Sequence, residues 1–171
     1  MTGSSVPEIR LVRPAEHEEA GAVVLSAYHA LPGDHSSPGY DLVLRDVARR
    51  AQEAEVYVAV AGPPAGGGVL GCVTFVPDMM SPWAEMVEPS ESAVRMLAVD
   101  PAAQGRGIGR ALLERCIARG RELGSAALFL HSTPWMVVAH GLYERSGFVR
   151  VPERDWLPVP EVPLLAYRLE L

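Results

Sequence analysis

Cysteine is scarce in this chain. Only Cys72 and Cys116 occur, neither in a Cys-x-x-Cys or Cys/His spacing, so no metal site is expected. Each falls in an apolar pattern, and two buried thiols in a reducing compartment are the expectation. Long apolar runs are missing as well: none approaches the roughly 18 residues needed to span a bilayer. The first residues, "MTGSSVPEIR", lack the charged and apolar regions of a signal peptide. The expected location is the cytoplasm, with no membrane partner. Basic charge is in deficit, 15 Lys and Arg against 21 Asp and Glu, for a formal net charge of −6. That argues against nucleic acid as a partner. A local basic patch stays open, because Arg106, Arg110, Arg115, Arg119 and Arg121 lie close together. Internal repeats and long low-complexity segments are absent.

What is present reads as one soluble domain over residues 1–171, with its core from about residue 8. The composition is 49% apolar and 21% charged, the balance of a globular protein. "EIRLV" (8–12) reads as a short strand. Pro14 suits a first helical turn, and "AEHEEAGAVVLSAYHAL" comes next at helical spacing. Residues 32–40 read as a loop by their turn residues. "YDLVLRDVARRAQEA" reads as a second helix, with Leu42, Val43, Val47 and Ala51 on one face. "EVYVAVAG" and "VLGCVTFV" read as a strand hairpin about the turn "PPAGGG" (63–68).

Residues 77–91 read as a Pro- and Ser-rich loop with an exposed Trp83. "SAVRMLAVD" is a strand, "GIGRALLERCIARGREL" an amphipathic helix, and "AALFLHST" a buried parallel strand. "WMVVAHGLYERSG" is a helix closed by Gly147. "FVRVP" and "VPLLAYRLEL" are closing strands. The order predicts an α/β (α+β) fold, a mixed sheet of about 6–7 strands with about four helices. A right-handed βαβ unit is expected around residues 92–131.

The run "QGRGIG", Gln104–Gly109, places glycines at 105, 107 and 109 where a helix begins. A glycine weakens a helix by about 1 kcal/mol relative to alanine, so the bare backbone must serve something. The first N–H groups of a helix have no internal partner and carry the positive end of its dipole. With Arg106 and Arg110 nearby, the turn reads as an anion site, and phosphate is the obvious anion. A Walker A loop would need GxxxxGK[ST], and the Lys-Ser/Thr pair is missing. A dinucleotide fingerprint would need GxGxxG and an acid ending the next strand, and neither is there. A third pattern, Q/R-x-x-G-x-G/A, is matched in full by Gln104, Gly107 and Gly109.

At these residues the sequence resembles the GCN5-related N-acetyltransferases, the GNAT superfamily. "LAVDPAAQGRGIGRALL" resembles the family's strand, pyrophosphate loop and helix. "AHGLYERSGF" resembles its second signature, about 35 residues later. The resemblance implies a GNAT acyl-CoA N-acyltransferase fold over residues 8–171 and an acetyl-CoA site. It implies that the amides of Gln104, Gly105, Arg106, Gly107, Ile108, Gly109 and Arg110 hold the CoA pyrophosphate. The backbone of Leu97, Ala98 and Val99 would pair with pantetheine. Tyr143 stands where the family has its proton donor to the CoA thiolate. A glutamate near the strand before the glycine loop is the family's frequent base; Glu88 comes first here, with Glu85, Glu91, His131 and His140 as other candidates. The family's asparagine seven residues before the tyrosine is replaced by Met136.

The implied activity is direct acetyl transfer from acetyl-CoA to a primary amine. The acceptor, small molecule or peptide, would sit by loops 32–40 and 77–91. Those loops hold Asp34, His35, Tyr40, Met79, Met80, Trp83, Glu85 and Glu88. A GNAT-like acyl-CoA-binding or sensor module without turnover stays open beside the enzyme. A homodimer is expected from the family, with no seam visible in the sequence.

Overall fold

The computed structural model describes residues 7–33, 37–62 and 67–171. Asp34 and His35, and most of the 63–68 turn, lie outside the described residues. Among the described residues eight strands and five α-helices form a mixed α/β fold. The chain divides into two compact units, one of residues 1–74 with 96–115, the other of 75–95 with 116–171.

In the first unit, β1 (Glu8–Leu11) pairs antiparallel with β2 (Glu55–Val60), from Glu8 opposite Val60 to Leu11 opposite Tyr57. β3 (Val69–Val76) neighbours β2, and the sheet order continues to β4 (Glu91–Val99). Three helices, α1 (His17–His29), α2 (Pro38–Arg45) and α3 (Val47–Glu53), cover this part. The helix expected over residues 40–54 is thus two helices, and the first begins inside the expected loop. Asp46 breaks them with φ −78° and ψ 66°, and its carboxylate accepts from the Arg49 amide at 3.0 Å. An aspartate at an N-cap satisfies an amide that the helix leaves bare. Buried Arg50 then donates to the carbonyls of Val43 (2.5 Å) and Leu44 (2.9 Å), closing the end of α2. Leu42, expected on the core face, is 71% exposed. Both cysteines are buried and neither is in a disulfide, and burial pushes the Cys72 thiol up to about 12.

Gly71 on β3 sets how close α4 (Ile108–Glu122) can lie. A Cβ there would come within 2.9 Å of Ile108 Cγ2, 3.0 Å of the Ala98 carbonyl and 3.0 Å of Leu112 Cδ1. The start of α4 therefore rests directly on the sheet at a residue without a side chain.

In the second unit, the first half of β4 runs parallel to β5 (Ala127–Ser132), Glu91 opposite Ala127 through Val94 opposite Leu130. With α4 between them, this is the expected βαβ unit. β5 pairs antiparallel with β8 (Val162–Glu170). β8 also carries β6 (Val149–Arg150) and a strand the sequence did not announce, β7 (Trp156–Val159). α5 (Val137–Arg145) ends in a left-handed Gly147 (φ 95°). The Phe148 amide returns to the Tyr143 carbonyl at 3.0 Å and the Gly147 amide to Glu144 at 3.0 Å, a Schellman closure.

Glu91, read as the end of a loop, opens β4 and is 4% exposed. Its carboxylate accepts from Arg154 at 3.0 and 2.9 Å, from Arg168 Nε at 2.9 Å and from the Glu88 amide at 3.1 Å. Arg154 also donates to the Met86 carbonyl and lies 3.7 Å over the Phe129 ring. One acid thus ties the 77–90 loop and the segment before β7 to the sheet. Trp83, expected on the surface, is buried at 8% exposure, and Arg95 donates to its carbonyl at 3.1 Å. Burial alone would raise the Glu91 pKa, but these donors outweigh it and hold it below its usual value.

Gly71→Ala should lower stability in urea by about 1–3 kcal/mol, the usual cost of overpacking. Gly39→Ala on α2, where a Cβ meets nothing within 4 Å, should be neutral or stabilising by up to about 1 kcal/mol. Glu91→Gln should cost about 2–4 kcal/mol at pH 7, because two cations lose their acceptor. A carboxylate with a depressed folded pKa contributes above its unfolded value, near 4.5, and loses that contribution as pH falls through the folded value. The gap between wild type and Glu91→Gln should therefore close on acidification below about pH 4.5, read as urea midpoints against pH.

Candidate functional site

The glycine turn lies in the first unit. Asp100 anchors its approach: its amide donates to the Leu70 carbonyl at 2.9 Å, and its carboxylate accepts from the Ala102 amide at 2.8 Å. After a 3-10 turn over Pro101–Ala103, Gln104 is extended and exposed. Gly105 (φ 76°) and Gly107 (φ 77°) then take left-handed backbone. A side chain in that conformation costs about 1–2 kcal/mol per residue, so glycine is required at both. A Cβ at either would meet nothing within 4 Å. Among the described residues no neighbouring part of the protein crowds these glycines, and the space above them is open. Gly109 sits at the helix start, as expected. It has an ordinary φ and sits in the first turn of α4, which begins at Ile108.

Positive-φ residues of this kind can turn successive amides to one side, as in an anion nest. Here they run directly into the N-terminus of a 15-residue helix, whose dipole favours negative charge. The turn suits a phosphate or pyrophosphate. Arg106 is exposed, and Arg110 pairs with Glu114 at 2.7 Å on the surface. The arginines further along do not gather into a basic patch: Arg115 stands 5.2 Å from the Tyr57 ring centre, and Arg119 pairs with Glu122 at 3.2 Å.

Leu97, Ala98 and Val99 form the last part of β4 in the same unit. Immediately before them, Met96 has φ 52°. A left-handed methionine inside a strand is a strained, specific feature. The pairing of β4 with β5 covers Glu91–Val94 and stops short of it. No residue type in "VRMLAV" signals this break.

Tyr143 and the candidate bases lie in the second unit. Tyr143 is buried on α5, its ring 6.0 Å from Phe148 and 5.7 Å from Tyr167. Among the described residues its hydroxyl has no hydrogen-bond partner. Burial, with Tyr167 adding to it, pushes its pKa well above that of an ordinary phenol. The group stays protonated and can donate.

Glu88 has a 63% exposed side chain, 3.8 Å from Arg154. Glu85 pairs with Arg95 at 2.7 Å. Glu91 is occupied by two arginines, and a carboxylate so held is a poor proton acceptor. His140 Nε2 lies 2.9 Å from the Thr133 carbonyl, and His131 Nε2 lies 3.1 Å from the Arg154 carbonyl. Met136 is the N-cap of α5, and Ser132 Oγ lies 3.6 Å from its sulfur. Arg154, which shapes this region, escaped sequence reading because its partner Glu91 is 63 residues away. Among the described residues no group of three or more His, Cys, Asp or Glu could hold a metal ion, and no helix is long and apolar enough to cross a membrane.

Comparison with known proteins gives the same picture. A solved acetyltransferase of the GNAT family from Staphylococcus aureus Mu50 superposes with TM-score 0.76, at 16% identity over 96% of this chain and 99% of that one. The YncA structure of Salmonella typhimurium, described with its cofactor acetyl-CoA, gives 0.67 at 21% identity over 98% of this chain and 95% of that one. In sequence, mycothiol acetyltransferase of Beutenbergia cavernae is 37% identical over 82 residues, 48% of this chain. That match spans only 28% of the relative's own length. The family model described as "Acetyltransferase (GNAT) family" matches residues 23–148, and the chain belongs to that family.

Proposed function

We propose that the protein is an acetyl-CoA-dependent N-acetyltransferase acting on a primary amine. The observation that carries this is the open, left-handed turn at Gly105 and Gly107 running into α4. Family membership and the acetyltransferase names of its relatives support it. The amides of Gln104, Gly105, Arg106, Gly107, Ile108, Gly109 and Arg110 hold the CoA pyrophosphate. The backbone of Leu97, Ala98 and Val99, beyond the Glu91–Val94 stretch that pairs with β5, takes the pantetheine arm. Acetyl-CoA supplies the activated acetyl thioester, whose sulfur leaves as a thiolate.

Tyr143 donates a proton to that thiolate. Its hydroxyl has no hydrogen-bond partner among the described residues and is protonated at pH 7, so it is available to the thiolate, while burial makes it a weaker acid than an ordinary phenol. An alkyl amine, with pKa near 10, must lose its ammonium proton before attack. Glu88, open to solvent on the 77–90 loop, relays that proton to water. The acids and exposed methionines of this loop, Glu85, Glu88, Met79 and Met80, fit a cationic or amphipathic amine acceptor. The other reading, an acyl-CoA sensor without turnover, shares the glycine turn but makes no use of Tyr143.

Thermal unfolding with acetyl-CoA, ATP or NAD tests the binding part. A ligand at 100 times its dissociation constant adds about 2.7 kcal/mol, a rise of roughly 5–10 °C for a chain of this size. The expected result is a rise with acetyl-CoA and none with the controls; no rise would remove the transferase reading. Tyr143→Phe, which keeps the ring packing, should retain the shift and lose about 100-fold or more in kcat. Retained shift with no turnover in wild type would favour the sensor.

A further inference from the structure

Six methionines occur in the chain, and five of them lie among the described residues. Three of the five share one loop of the second unit and are open to solvent: Met79 is 47% exposed, Met80 83% and Met86 44%. Met96 is buried, and Met136 is half-buried with its sulfur accepting from Ser132 Oγ at 3.6 Å. A thioether carries its lone pairs at every pH, so access to solvent governs its reaction with an oxidant.

The thiols do not compete. Cysteine is oxidised through its thiolate. Cys72 and Cys116 are both fully buried, and burial keeps the Cys72 thiol protonated at pH 7. Among the described residues, the oxidisable sulfur that solvent reaches best is therefore gathered on the 77–90 loop.

The backbone under these side chains is held. Asp78 Oδ1 accepts from the Met80 amide at 2.8 Å, and the Asp78 carbonyl accepts from the Ser81 amide at 3.4 Å. Met79 and Met80 are the two central residues of that turn. Further along, Trp83 is buried and the Met86 carbonyl accepts from Arg154. The loop thus displays three flexible apolar side chains from an anchored backbone, and a chemical change at their sulfurs leaves those anchors in place.

We infer that the 77–90 loop is a reversible oxidation site for peroxides, Met80 reacting first and Met79 and Met86 after it, and that the oxidised loop binds an amphipathic amine less well. The second half of this rests on the acceptor reading above. A sulfur lone pair attacks one oxygen of hydrogen peroxide, and the sulfur–oxygen bond forms as the oxygen–oxygen bond breaks. The departing oxygen keeps that electron pair and takes up the proton of the transferred oxygen. Sulfur is oxidised by two electrons, the peroxide is reduced by two, and the products are a sulfoxide and one water. The change turns an apolar thioether into a strongly polar group, and methionine sulfoxide reductases reverse it. Tyr143 and the glycine turn are untouched, so the effect falls on KM for the amine.

Dilute hydrogen peroxide followed by peptide mass analysis tests the site. One added oxygen should appear on Met80, then on Met79 and Met86, before any appears on Met96, Met136 or the cysteines. Oxidation of Met96 or Met136 as fast as Met80 overturns the inference. The amine probes are phenylethylamine and a leucyl peptide, with release of the CoA thiol as the readout. On either probe that wild type acetylates, peroxide should raise KM about fivefold, the cost of setting a polar group against an apolar one. The thermal shift with acetyl-CoA and kcat should stay as they were, and reductase treatment should restore KM. A protein carrying Met79→Leu, Met80→Leu and Met86→Leu together, compared with itself before and after peroxide, should show no change in KM. An equal rise in that variant, or no rise in oxidised wild type, overturns the coupling of oxidation to binding. If wild type acetylates neither probe, the acceptor reading fails separately, and the peptide masses alone decide the oxidation site.

Discussion

Left-handed backbone at Gly105 and Gly107 governs the path of the chain beyond β4. The strand ends, a 3-10 turn is pinned by Asp100, and two residues with positive φ swing the chain into α4. Any other residue type would pay about 1–2 kcal/mol at each position. No part of the first unit occupies the space above them, so internal packing does not explain the choice. The proposed anion, held by a row of amides, would account for it by drawing free energy from N–H groups that a helix start leaves bare. Gly71 completes the arrangement by letting the start of α4 lie against β3 and the Ala98 carbonyl.

The second unit is organised by charge rather than by glycine. Glu91 would be expensive to bury alone. Arg154, Arg168 and the Glu88 amide supply four donors, and the carboxylate stays ionised. The same Arg154 offers its backbone carbonyl to His131. One residue therefore both neutralises the buried acid and engages Nε2 of the histidine. The loop that carries Trp83, Glu85 and Glu88 is held to the sheet through Arg95 and Arg154.

Much of this was legible in the sequence, where local rules act. The glycine turn, the βαβ unit, β3 to its last residue and the Gly147 closure of α5 are all readable from spacing and turn chemistry. The failures have physical causes. Asp46 looked like one polar residue within a helical pattern, yet an aspartate before Val47 is also a helix start; only buried Arg50, closing α2 from seven residues away, shows which reading wins. Trp83 and Glu91 looked solvated because their neighbours are Pro, Ser and acids, whereas arginines far along the chain or on the facing strand bury them. β7 lacks alternation and all four of its residues are exposed, so no periodic signal marks it. The left-handed Met96 has no compositional signal at all.

Calorimetric titration of acetyl-CoA into wild type and Gly107→Ala tests the central claim most directly. Among the described residues a methyl group at residue 107 meets nothing within 4 Å, so it acts through the left-handed φ and the space the proposed ligand would take. The account predicts a folded variant whose affinity for acetyl-CoA falls by about tenfold or more, the equivalent of at least 1.4 kcal/mol. Equal affinity in both proteins would show that the turn is only a connection between strand and helix.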